Sequence, residues 1–124
     1  MVEIEVANRS GAEFDLDAAA ELIRAVLGDE GVDDGELGLQ LVGPVEIRSL
    51  KREHLGVDEA TDALAFPIDA REPLPEGVPR QLGDVVLCPQ VVEDEWRGPI
   101  VHAVLHLLGY DHGAEMEARE RAHA

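Results

Sequence analysis

The chain has 124 residues, which bounds it to one compact domain (residues 1–124) with room for a modest core. Aromatic residues make up only 3%, so Leu, Val, Ile and Ala must supply the packing. With 27 acidic against 10 basic side chains the formal charge is −17, which excludes a broadly basic nucleic-acid-binding surface, and a single cysteine excludes an intrachain disulfide. A lone thiol suits a reducing cytosol. The N-terminus lacks a basic region followed by an apolar run, and no stretch approaches the length of a membrane span. The expectation is therefore a soluble, cytoplasmic protein with no membrane association.

Residues 2–7 alternate apolar and acidic side chains, the pattern of a half-buried strand, and 8–11 form a turn. Residues 15–27 carry apolar side chains at Leu16, Ala19, Ala20, Ile23 and Val26/Leu27, a helical stripe with Asp15 as N-cap and Gly28 as C-cap. A polar loop over 29–35 leads to a second alternating strand over 36–43, with Leu37, Leu39 and Leu41 inward. Pro44 can open a helix because the first turn has no use for its missing N–H, and 45–54 continue it with Ile47 and Leu50 towards the core.

After a loop over 56–60, residues 61–66 form a short strand ended by Pro67. Residues 68–81, with Pro73, Pro75 and Pro79, make a surface excursion. The run 82–88 reads as the most buried strand, with Pro89 ending it and Cys88 as a small buried hydrophobe. Asp84 within it is read as a structural carboxylate. Residues 91–96 hold a single helical turn at most, and Gly98-Pro99 start the next helix. Glu115/Arg119 and Glu117/Arg121 are i, i+4 pairs in the favourable order, predicting an exposed final helix. Strands and helices without a regular βαβ rhythm point to an α+β domain: one four-stranded mixed sheet with helices packed on it, its strand order unspecified.

The chemistry concentrates in His102-Ala-Val-Leu-His106-Leu-Leu-Gly109-Tyr-Asp-His112, which holds three of the five histidines. His102 and His106 leave the same face of a helix one turn apart. Gly109 can take the left-handed conformation that ends a helix, letting the chain bring His112 to the same point. Three histidines form a three-ligand site for a divalent metal, with zinc (one Zn2+ per chain) favoured and one coordination position left for water. The same spacing occurs in the metzincin proteases, except that Ala103 stands where those enzymes carry a glutamate general base.

Asp111 is either a partner orienting an imidazole, a base for water at the metal, or a cap of the chain reversal. Tyr110 either stacks on a base or covers the core. Arg48, Lys51 and Arg52 fall within five residues and locally offset the acidic balance. His54 and His123 have no spacing relation to the three.

This stretch resembles the signature H-G-x-L-H-L-x-G-Y-D-H of the YbeY family, bacterial rRNA maturation endoribonucleases. Thr61-Asp-Ala-Leu-Ala-Phe-Pro67 and Leu82-Gly-Asp-Val-Val-Leu-Cys88 also resemble family segments, so the likeness covers about residues 4–121. It implies the same α+β architecture with the metal helix central, and a zinc-dependent endoribonuclease acting on single-stranded RNA. The process it implies is 16S rRNA 3′-end maturation and ribosome quality control, with the small ribosomal subunit and the GTPase Era as partners. His102, His106 and His112 would hold the metal.

Two departures bear on activity. Leu55 and Val57 occupy the family's Arg and Lys positions, and the connection from Cys88 to His102 is short. Arg52 lies one helical turn before Leu55 on the same side, so it is the expected phosphate contact in place of the missing arginine. Two other functions stand beside the nuclease: a metalloprotease-like hydrolase from the bare spacing, and a non-catalytic assembly factor whose zinc only fastens the C-terminal helices.

Overall fold

The computed structural model describes residues 1–56, 61–110 and 113–123. The elements run β1 (Val2–Asn8), α1 (Leu16–Asp29), β2 (Gly35–Leu41), α2 (Pro44–Leu55), β3 (Ala63–Pro67), β4 (Gln81–Leu87), α3 (Pro89–Val92), α4 (Arg97–Leu107) and α5 (Ala114–Ala122). The strands form one sheet in the order β1-β2-β4-β3. β1, β2 and β4 are parallel, and the edge strand β3 runs antiparallel to β4. This is the expected α+β fold with a four-stranded mixed sheet.

The period-2 pattern of β2 sorts its side chains as expected, with Leu37, Leu39 and Leu41 buried on one face. They join Val85 and Leu87 of β4 in the main core, beneath α1 (Ala19, Ile23, Leu27) and the buried residues of α4. A second, smaller core of Val42, Ile47, Leu64, Val86 and Cys88 lies under α2 on the other face. β4 is thus covered on both sides at its C-terminal half, which explains its continuous apolar run.

The caps show where local sequence decides. Asp15 accepts a hydrogen bond from the Ala18 N–H at 3.0 Å, the expected N-cap, worth about 1 kcal/mol. The expected C-cap is corrected: α1 runs through Gly28 and ends at Asp29, and the left-handed residue is Gly31 (φ 79°). Val32 N–H bonds Leu27 O and Gly31 N–H bonds Gly28 O, the paired closure of a Schellman turn. That extra half-turn carries Glu30 inward. At the end of α2, Gly56 is left-handed (φ 72°) and its N–H bonds Arg52 O; the rest of the loop expected over 56–60 lies outside the described residues.

Further departures concern β3, α4 and α5. β3 includes Pro67, which an edge strand tolerates because a missing ladder N–H costs least there. α4 starts at Arg97, with Gly98 and Pro99 inside its first turn, where no N–H is needed. α5 is less exposed than its charge pattern suggests, since Met116 is 1% exposed. Arg119 pairs with Glu30 rather than with Glu115. A buried carboxylate attracts a cation more strongly than one immersed in water.

Candidate metal centre

α4 buries Ile100, Val101, Ala103, Val104, Leu105 and Leu107, leaving His102 and His106 half-buried on its remaining face. Their Nε2 atoms are 3.2 Å apart, with ring planes at 80°. Two tetrahedral ligands at ~2.0–2.1 Å from zinc lie ~3.3–3.4 Å apart, so the pair fits one edge of such a site. Both rings line a cleft of about 1090 Å³. β3 forms one wall, Lys51, His54 and Leu55 of α2 another, and Glu120 of α5 stands beside the histidines.

Glu120 Oε2 is 3.3 Å from His102 Nδ1. A carboxylate at Nδ1 favours the proton there and leaves the Nε2 lone pair for a metal. Downstream, Gly109 is left-handed (φ 98°), and Tyr110 N–H bonds Leu105 O, closing α4 as the glycine predicted. Asp111 and His112 lie outside the described residues. The structure therefore brings together two of the three expected ligands.

The other expected residues fall as follows. Arg52 is exposed on α2, donates to Ser49 Oγ at 3.2 Å, and is not among the residues lining the cleft, whereas Lys51 is. Leu55, expected at the arginine position of the resembled segment, lines the cleft and is 60% exposed. His54 lines it too, with its ring edge-on to Phe66 at 5.0 Å. Cys88 is fully buried in the smaller core and is not among the residues lining the cleft. Asp84 lies over Gly38, where an added Cβ would strike its carboxylate.

The sequence reading missed Glu30, the buried charged residue among the described residues. Tyr110 donates its hydroxyl to Oε1 at 2.7 Å, Arg119 Nε donates to Oε2 at 2.7 Å, and His123 Nε2 lies 3.0 Å from Oε2. Arg71 donates to Oε1 at 3.3 Å and to the Glu30 carbonyl at 3.1 Å. Burial alone would raise the pKa of this carboxyl, but the bonds from His123, Tyr110 and Arg119 outweigh it and hold the value at about 2. The bond to Glu30, helped by burial, holds the Tyr110 hydroxyl above its usual range. Tyr110 is thus a core-covering residue with its polar tip satisfied.

The profile of the family described as Endoribonuclease YbeY matches residues 4–123. The chain belongs to the YbeY family. Among similar members, the Endoribonuclease YbeY of Salinispora tropica is 38% identical, over 96% of this chain and 88% of its own length. That of Rubrobacter xylanophilus is 36% identical, over 96% and 87%. The solution structure of TM1509 from Thermotoga maritima superposes with a TM-score of 0.59 at 26% identity, covering 99% of this chain and 86% of that one. The matched residues include His102 and His106, the pair that lines the cleft.

Proposed function

We propose that this chain is a zinc-dependent endoribonuclease that cleaves single-stranded RNA, acting in the cytoplasm in 16S rRNA 3′-end maturation and ribosome quality control. The observation that carries the reading is the convergence of His102 and His106 Nε2 at 3.2 Å on the wall of a cleft, in a chain of the YbeY family. His112 completes the ligand set in this proposal. The chemistry that a bound zinc supplies is Lewis-acid polarisation of a phosphoryl oxygen or of water.

The chain's own residues do the rest. Glu120 holds the His102 ring in the ligating tautomer. Lys51 faces the cleft from α2 and takes phosphate, while Arg52, exposed on the same helix, contacts the strand outside it. Asp111 accepts a proton from the attacking water. The edge strand β3 offers backbone donors and acceptors to unpaired bases and 2′-hydroxyls, which favours single strands over a closed duplex. The small ribosomal subunit and Era are the proposed partners, on family resemblance. No described helix is long and apolar enough to cross a membrane.

The test is cleavage of a single-stranded RNA and of its duplex by purified protein, with chelator and after zinc is returned. Cleavage of the single strand alone, abolished by chelator and restored by zinc, is expected. The exposed Leu55 in the cleft wall favours a second reading, a non-catalytic factor. Stoichiometric zinc and RNA binding with no cleavage would establish that reading instead.

A further inference from the structure

Glu30 gathers groups from three later parts of the chain: Arg71 between β3 and β4, Tyr110 just after α4, and Arg119 with His123 at the end of α5. Its side chain is 2% exposed. An isolated carboxylate would not remain charged at that depth, so these bonds are what hold it there. The members sit at telling places. Tyr110 stands four residues after His106 and two before His112, and Arg119 is the neighbour of Glu120, which touches His102. The chain just after α4 and the last turn of α5 are therefore tied to one buried point, and His112 falls between them in the sequence.

We propose that Glu30 is a positioning residue for the histidine centre: through Tyr110 and Arg119 it ties the start of the α4–α5 connection to the last turn of α5, so that Glu120 meets His102. An apolar residue at this position would fill the space but would not set the rotation of α5, because it offers no direction to a guanidinium or a hydroxyl. Arg119, whose Nε and a terminal nitrogen both donate to Oε2, does set it. Among the described residues, Glu30 bonds Arg71, Tyr110, Arg119 and His123 and not His102 or His106. Its effect is transmitted by backbone and by Glu120.

The inference rests on the zinc reading for its consequence but not for its geometry, and two measurements separate them. Zinc affinity, by competition with a chromophoric chelator, is compared for wild type, Glu30→Gln, Tyr110→Phe and the control Val86→Ala, whose cavity lies in the smaller core. The imidazole 15N signals of His102 are recorded on the same proteins without metal. We expect Glu30→Gln to bind zinc 10–100-fold more weakly. Its His102 signals should move towards a mixture of tautomers, with Tyr110→Phe shifted less in the same direction. Val86→Ala should lose thermal stability yet keep both readouts.

Unchanged affinity and unchanged His102 signals in folded Glu30→Gln would overturn the proposal, as would an equal loss in Val86→Ala. Should Glu30→Gln fail to fold, Tyr110→Phe decides, since it deletes one hydroxyl and nothing else. Should wild type take up no zinc, the metal reading falls. The His102 signals alone then decide: movement in Glu30→Gln supports the positioning role, and no movement refutes it.

Discussion

A pair of histidines four apart is the residue-scale feature from which most of the chemistry follows. Helical periodicity made their common face legible without a structure, and their Nε2 atoms indeed lie 3.2 Å apart. Ala103, 3% exposed between them, offers no carboxylate of the kind a protease of this spacing uses. Excess zinc at ~100 times Kd should stabilise the protein by about 3 kcal/mol. His106→Ala should lose that increment and most of its bound metal, measured by thermal melts and elemental analysis. Full zinc occupancy in the variant would sink the three-histidine site. On the α2 wall, Lys51 lines the cleft and Arg52 does not, so Lys51→Ala should weaken RNA binding more than Arg52→Ala. A loss of about 1–3 kcal/mol is the scale of a charge-assisted bond. The reverse ranking in a filter-binding titration would return the phosphate contact to Arg52.

At the level of elements, alternation in β2 and the stripe of α1 were readable because each reports burial on a single face. What eluded the sequence was anything set by contact between distant segments. Gly28 reads as the cap of α1, whereas the helix runs on to Asp29, the chain turns at Gly31, and Glu30 faces inward. Nor does the segment around Gly83 reveal its own reason. Gly83 has φ 127°, and a Cβ there would collide with the Phe66 carbonyl of β3 and press on Leu107 of α4. Gly83→Ala should therefore cost at least about 1–3 kcal/mol from backbone strain alone, more with the clash, and a variant with wild-type stability would contradict this. The joint between α1 and α5 should also be acid-labile. The Glu30 carboxyl is lowered from about 4.5 to about 2, so the stability it contributes is complete above pH 4.5 and lost as pH falls towards 2. On the order of 3 kcal/mol is involved. Glu30→Gln should flatten the denaturation midpoint against pH in that window, and an unchanged acid limb would place the titration elsewhere.

For the whole molecule the governing quantity is a net charge of −17, unusual for a protein proposed to bind RNA. Two effects of salt oppose each other here. Each phosphate neutralised on a single strand releases counterions and contributes about −0.7 to the slope of log K against log salt. The acidic remainder of the surface repels RNA over roughly a Debye length, and salt relieves that repulsion. Lys51 in the cleft and Arg52 beside it supply two cations on α2, so counterion release alone would give a slope of about −1.4, and relief of repulsion should bring it nearer zero. Binding should thus survive moderate salt better than for a basic RNA-binding protein, at the expense of lower affinity when salt is low. Leu55→Arg adds a cation to the cleft wall and should steepen the slope by about 0.7 while tightening binding. If that variant gains affinity with no change in slope, the new side chain acts by packing or stacking on a base. A wild-type slope of about −4 or steeper would mean that RNA meets more positive charge than these residues hold, and that its path lies outside the cleft.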